Sequence, residues 1–285
     1  MTEFFNMVFD PHVPFLRHAL IAGLLASVSF GIMGTYVVTR RISYIAGAIA
    51  HCVLGGIGAA VYAQGRYGIT WMHPMGGAII SAVVSALVIG IVSLYARERE
   101  DTIIGAVWAI GMATGLIFIS RTPGYVDAMG YLFGNILLIT RWDLFIITIL
   151  NAVILVLCYV LYHRFMAVCF DEEFARLRGL PARFYYMLLL ILIALTIVLL
   201  VRVVGIVMVI ALLTLPAAIA GHFARRLWHM MLLAIAVCMC VTTAGLAVSF
   251  ASDLPSGPTI IVLAGLAYLV VLAVKRLATR QLPPT

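Results

Sequence analysis

Charge is what this sequence has least of: Asp, Glu, Lys and Arg make up 10% of its 285 residues, and lysine occurs once, as Lys275. A soluble domain carries about 25% charged residues, so the chain lacks the polar material to cover a surface facing water. The lone lysine excludes something more specific. A P-loop ends its glycine-rich turn in a lysine that meets the phosphates, and Lys275 sits in VLAVKRL with no such turn before it. The chain is not its own P-loop ATPase. It also lacks any long polar stretch that would fold as a separate soluble domain, so residues 1–285 are expected to form one integral-membrane domain. The five cysteines (Cys52, Cys158, Cys169, Cys238 and Cys240) contain no CxxC pair. Their odd number and spacing argue against a disulfide framework, and small buried hydrophobes are the expected reading. The opening MTEFFNMVFDPHVPF has no basic n-region and no small-residue cleavage site, and is not expected to be a signal peptide.

What is abundant is apolar: 65% of the residues, with a mean hydropathy of +1.17. The apolar residues fall in runs of about 20, the length that crosses a hydrocarbon core of ~30 Å. Nine runs stand out, at 15–38, 44–64, 72–95, 102–120, 143–163, 184–201, 203–222, 228–250 and 257–274. The expected fold is an all-α, polytopic transmembrane bundle of eight or nine spans, because Arg202 blurs the division between the sixth and seventh. With the first span running inward, the cytoplasmic side receives Arg40, Arg41, Arg97, Arg99, Arg164, Arg176, Arg178, Arg183, Arg225, Arg226, Lys275, Arg276 and Arg280. The outer side receives Arg17, Arg66, Arg121, Arg141 and Arg202. Thirteen against five is the positive-inside pattern. It places the N-terminus outside and the C-terminus in the cytoplasm of a bacterial inner membrane. The net charge of +7 is this orienting excess and implies no nucleic-acid partner.

Two segments are not simple spans. Residues 122–142, TPGYVDAMGYLFGNILLITRW, open on a Pro-Gly turn and carry Asp127, so they read as an outer-face or re-entrant helix. The loop at about 167–183 contains FDEEFARLRGLPAR, the longest charged stretch. There Phe170, Phe174 and Leu177 recur at i, i+4 and i+7, giving a short amphipathic helix ended by Gly179 and Pro181.

Polar groups inside a span are costly and call for a reason. His51 lies well into the second span, and neutral imidazole is a ligand for Zn²⁺, Mn²⁺ and Fe²⁺. A structural histidine is the competing reading. Asp127 and Asp253 belong to the outer face, where carboxylates collect cations or cap helices. Pro216 interrupts the seventh run and permits a bend. AGAIAHCVLGGIGAA (46–60) is built of small residues, which let helices approach closely in lipid.

Taken together, five segments in order carry a resemblance: RRISYIAGAIAHCVLGG (40–56), YVDAMGYLFGNILLIT (125–140), FDEEFARLRGLPAR (170–183), VVGIVMVIALLTLPAAIA (203–220) and DLPSGPTIIVLAG (253–265). Over nearly all of 15–276 the sequence resembles the membrane permeases of the zinc/manganese/iron ABC importers. The resemblance implies a periplasmic or surface metal-binding protein, two permease copies forming the path, and separate cytoplasmic ABC ATPases. It implies no enzyme activity in this chain and no tightly bound cofactor, with the divalent metal as cargo. His51 and Asp127 become candidate metal residues, and Phe170, Asp171, Glu172, Glu173, Phe174, Leu177 and Gly179 the candidate ATPase-coupling element, its three acids facing the ATPase or water. Two positions depart from the family's pattern. Gly47 stands where most members carry an Asp four residues before the His, and Ala109 where many zinc members carry a second His. An ABC permease for a non-metal substrate, or the poorer half of a heterodimer, would share these departures. An ion-coupled secondary transporter would need carboxylates inside the spans, and none lies well inside an apolar run. An intramembrane enzyme would need a nucleophile–base pair or a motif such as HExxH, which the sequence lacks.

Overall fold

Without water in the hydrocarbon core, a spanning segment must satisfy its backbone internally, and apolar runs without an alternating pattern do so as helices. The computed structural model describes residues 7, 14–69, 71–95, 100–124, 128–134 and 139–280, and among them there is no strand. The helices are α1 (Pro14–Thr39), α2 (Ser43–Tyr67), α3 (Pro74–Tyr95), α4 (Glu100–Arg121), α5 (Ala128–Phe133), α6 (Arg141–Val160), α7 (Tyr162–Phe170), α8 (Glu172–Leu177), α9 (Ala182–Val204), α10 (Ile206–Gly221), α11 (Leu227–Ser252) and α12 (Ser256–Arg280). Eight of these are long and apolar enough to cross a membrane: α1 to α4, α6, α9, α11 and α12. Several hydroxyls inside them return to their own helix: Ser27 to Gly23 O, Thr35 to Gly31 O and Thr196 to Leu192 O, each at 2.7 Å.

The uncertain pair of runs around Arg202 is divided by one residue. Gly205 links α9 to α10 at φ 82°, ψ 163°, a region open essentially to glycine alone. The 16-residue α10 spans about 24 Å at 1.5 Å per residue. It too runs from one end of the bundle to the other. A Cβ on Gly257 would lie 3.8 Å from Met208 Sδ near its start, and Lys275 Nζ donates to His222 O (2.6 Å) just past its end.

The two ends are distinct. At one, Arg40 reaches Val168 O (2.9 Å), Arg164 reaches Tyr185, Arg183 approaches the Tyr95 hydroxyl and Lys275 meets His222. At the other, Gly65 faces Thr122 and Pro123, and Gly134 faces Gly205. Loops that carry the basic residues therefore gather on one side, as the arginine count requires.

α1 forms the centre of one half, packed on α6, α10 and α11, while α2 packs on α3 and α4; α9 bridges the halves through α2, α3 and α10. Between α1 and α6 the buried Asn151 accepts from Ser29 Oγ and donates to Leu25 O (2.7 Å), which satisfies a polar group that lipid would not. α4 and α12 are the least buried spans and α1 and α2 the most.

The segment after α4 carries a short helix packed at the end of the bundle opposite the basic loops, α5. α5 holds only six residues, and Gly134 (φ 64°) ends it against the backbone of Val204 and Gly205. Asp127 lies outside the described residues. Thr140 then caps α6 in a reciprocal box with Asp143, the carboxylate accepting from Thr140 N (3.0 Å) and Asp143 N donating to Thr140 Oγ1 (3.2 Å).

Candidate functional site

His51 belongs to a narrow seam. Gly47, His51, Gly55 and Gly58 recur at helical spacing on one face of α2. Opposite them on α4 stand Trp108, Gly111 and Gly115. A Cβ on Gly55 would lie 2.8 Å from Gly111 O, and one on Gly58 would lie 2.5 Å from Gly115 O. Backbone thus meets backbone along the upper seam. Where the glycines leave room, the His51 ring stacks on Trp108, with centroids 4.5 Å apart and planes 18° from parallel. Tyr44 also packs against the indole, with centroids 5.6 Å apart and planes tilted by 41°. His51 Nδ1 is buried and makes no hydrogen bond. Among the described residues no three of His, Cys, Asp or Glu gather as a metal cluster.

Ala109, on the same helix as Trp108, is exposed on the face away from this seam. Gly47 lies directly under the indole: a Cβ there would stand 3.1 Å from Trp108 Cζ3 and 3.4 Å from Cη2. An apolar cleft of about 440 Å³ opens beside the seam between α2, α3 and α4, but His51 does not line it. Its polar groups are already used: Cys52 Sγ donates to Val107 O (3.1 Å), Ser81 Oγ to Cys52 O (2.5 Å) and Ser85 Oγ to Ser81 O (2.7 Å). The cleft is a packing gap with no free ligand group shown, so the seam is the better candidate.

The second candidate element is at the basic end. Asp171, extended at φ −152°, accepts from Phe174 N (2.9 Å) and caps α8. Gly179 (φ 76°) closes it, with Leu180 N donating to Ala175 O (3.0 Å) and Gly179 N to Arg176 O (2.9 Å). Ala175 is fully buried against the bundle, whereas Phe170, Phe174 and Leu177 are 67%, 51% and 87% exposed. Phe174 and Leu177 are presented outward on α8, whereas Phe170, equally open, ends α7 on the other side of the break at Asp171, so the three do not share one helix as the spacing led one to expect.

The three acids do not share one role. Asp171 and Glu173 are exposed, but Glu172 turns back into the bundle, where it accepts from Arg40 Nη2 (2.5 Å) and from Arg176. Arg40 also lies over the Tyr186 ring at 5.2 Å. Burial by itself would raise the Glu172 carboxyl, but the hydrogen bonds and charges of Arg176 and Arg40 outweigh it and hold the group below 4.5. Because the folded value is depressed, the stabilisation is present above about 4.5 and is lost as pH falls through the folded value.

Replacing Glu172 with Gln should therefore lower the melting temperature of the detergent-solubilised permease by a loss of about 1–3 kcal/mol. The deficit should stay constant between about pH 6 and 8 and shrink only in acid. A Gln variant as stable as wild type at neutral pH would show that the pair does not anchor α8.

Sequence reading passed over Trp108, Arg40 and Asp143. Trp108 carried a signal, as the one aromatic in GAVWAIGMATG. Its partner is 57 positions away, and only the packing of α2 on α4 makes them neighbours.

Among the described residues, eight helices long and apolar enough to cross a membrane, the shorter α10 packed among them, and a capped apolar element at the basic end define a polytopic membrane protein of the transporter class. The chain belongs to the ABC 3 transport family, whose pattern matches residues 12–275. It is 40% identical over 262 residues, covering 92% of this chain and 89% of the relative, to "Probable metal transport system membrane protein" of Chlamydia pneumoniae. It is 31% identical over 265 residues to "Manganese transport system membrane protein MntC" of Halalkalibacterium halodurans, covering 93% of this chain and 88% of that one. Among solved structures it is similar to PsaBC from Streptococcus pneumoniae in complex with Fab, with a TM-score of 0.83 and 28% identity, covering 95% of this chain and 94% of that one.

Proposed function

We propose that this chain is the permease subunit of an ABC importer that carries a divalent transition metal, zinc, manganese or iron, across the inner membrane. Two permease copies form the path, a periplasmic or surface metal-binding protein delivers the cargo, and separate ATPases hydrolyse ATP. In this reading the basic end is cytoplasmic, the N-terminus lies outside and the C-terminus inside.

The observation that carries the reading is α7–α8. Its apolar side chains face outward at the basic end of a chain that has no nucleotide-binding turn, while Glu172 ties it to Arg40 in the turn that closes α1 and leads into α2. A rigid-body displacement imposed on α8 by a nucleotide-driven partner would thus be handed to the end of α1 and to the short turn that leads into α2, the helix that bears His51. The names of relatives at 40% and 31% identity support a metal as cargo. His51 is the candidate contact inside the membrane, and Asp127 the candidate at the outer mouth.

Uptake of radiolabelled Zn²⁺, Mn²⁺ and Fe²⁺ by cells expressing the transporter, wild type against His51→Ala, tests this directly. ATP-dependent accumulation of at least one metal is expected, reduced by about tenfold or more in the variant, the scale of losing a metal-binding group. Accumulation that survives the substitution would make His51 structural. Accumulation of none of the three would overturn the metal reading.

A further inference from the structure

His51 has an unusual companion for a cation contact. Its Nδ1 is buried without a partner, and its ring face is covered by an indole at 4.5 Å. The same indole covers Gly47, one turn before His51 on the same face, so closely that a Cβ there would come within 3.1 Å of Cζ3. Contacts of that length oblige the ring to give way by a few tenths of an ångström even for a methyl group. A carboxymethyl group directed towards His51 would need the space the ring fills. Two glycines further along the seam, Gly55 and Gly58, bring α4 in to backbone contact, so α4 cannot back away to make room.

We propose that Trp108 is a specificity-determining residue for the cargo: its indole positions the His51 imidazole and occupies the place where a second, anionic ligand would stand on α2. This deepens the functional reading and rests on it. A cation passing this point then meets one imidazole and an aromatic face instead of an imidazole–carboxylate pair. Imidazole suits Zn²⁺ and Fe²⁺, whereas Mn²⁺ and the hard cations Mg²⁺ and Ca²⁺ favour carboxylate oxygen. The indole therefore biases the path towards the nitrogen-preferring metals and against Mn²⁺.

The test is a cycle of Gly47→Asp, Trp108→Ala and the double variant, with Trp108→Phe as the conservative control, in the full transporter reconstituted with its ATPase. The readout is the ratio of Mn²⁺ to Zn²⁺ transported from an equimolar mixture, with melting temperature measured on the same preparations. Gly47→Asp alone should lower the melting temperature and leave the ratio unchanged, because the ring denies the carboxylate its place. The double variant should recover stability and raise the ratio by about tenfold, the low end of what a carboxylate partner to a metal-binding histidine contributes. Trp108→Phe, which keeps an aromatic face on His51, should retain the wild-type ratio. A double variant with the wild-type ratio, or a Gly47→Asp variant equal to the double in both readouts, would overturn the proposal. Wild type that moves neither metal would instead overturn the importer reading and the selectivity with it. The melting cycle would still report whether the indole excludes the carboxylate.

Discussion

Replacing Leu177 with Asp should abolish ATP-dependent uptake while the permease itself folds normally. Leu177 is 87% exposed in the isolated chain, so the substitution removes no packing from the bundle. Phe174 on the same helix and Phe170 at the end of α7 are also open, and Ala175 is buried and anchors α8. An uncovered apolar face at a charged, basic end is a surface made for a partner. Burying Phe174 and Leu177 in that partner is worth roughly 3–6 kcal/mol together, or at least a hundredfold in the docking equilibrium. A carboxylate at 177 forfeits its part of this and adds the cost of desolvating a charge. Pull-down of the ATPase should fall by at least tenfold, and transport with it. A Leu177→Asp transporter that retains its ATPase and its uptake would remove α8 from the coupling path.

The other large effect is expected at the opposite end. Gly205→Ala should leave little or no folded permease. An alanine at φ 82°, ψ 163° costs about 1–3 kcal/mol in backbone strain alone. Its Cβ would also stand 2.3 Å from Gly134 N and from the Phe133 carbonyl carbon, where backbone atoms have no rotamer to yield. Gly257 closes the same knot, since a Cβ there would come within 2.7 Å of Phe133 O. Separating these chains would undo the reversal from α9 to α10 and the seat of α5. Gly76→Ala is the control, because nothing lies within 4 Å of the added carbon. Fluorescence-detected size exclusion should show a monodisperse peak for Gly76→Ala and a loss of about tenfold or more for Gly205→Ala, as a deficit of roughly 1.4 kcal/mol already shifts an equilibrium tenfold. A normal peak for both would mean that the outer knot is soft.

The membrane architecture was legible because hydropathy and arginine placement are properties of composition along the chain, and both survive ignorance of packing. The all-α bundle and the gathering of Arg40, Arg164, Arg183 and Lys275 at one end follow from them. The division near Arg202 was not legible, since nothing in VRVVGIV distinguishes a glycine that continues a helix from one that reverses the chain. The length of α5 was missed for a related reason: its end is set by Gly134 meeting Gly205, 71 positions on, a contact no local pattern encodes. At the coupling element the short helix and the outward Phe174 and Leu177 were readable from their spacing, but the break at Asp171 that leaves Phe170 on α7 was not. The inward turn of Glu172 depends on Arg40 at another loop, so three adjacent acids looked alike in sequence. The His51 region was half readable. The small residues of 46–60 announced close packing, but that Gly47 is small because an indole lies over it required both helices in place.

The seam between α2 and α4 has a mechanical consequence. Helices that interlock through side chains must climb over one another's ridges to move, whereas the glycines of this seam leave two nearly smooth backbones in contact. Axial sliding of α2 along α4 is opposed instead at both ends of the glycine stretch, by the stacked His51 and Trp108 with Tyr44 beside them and by Tyr62 against Phe118, with Cys52 Sγ bonded to Val107 O between the helices. His51 sits about 12 Å along the rod that begins beside Arg40, at 1.5 Å per residue. The smooth stretch is thus pinned at both ends, and any axial displacement of α2 against α4 would have to part the His51–Trp108 stack and the Tyr62–Phe118 contact together.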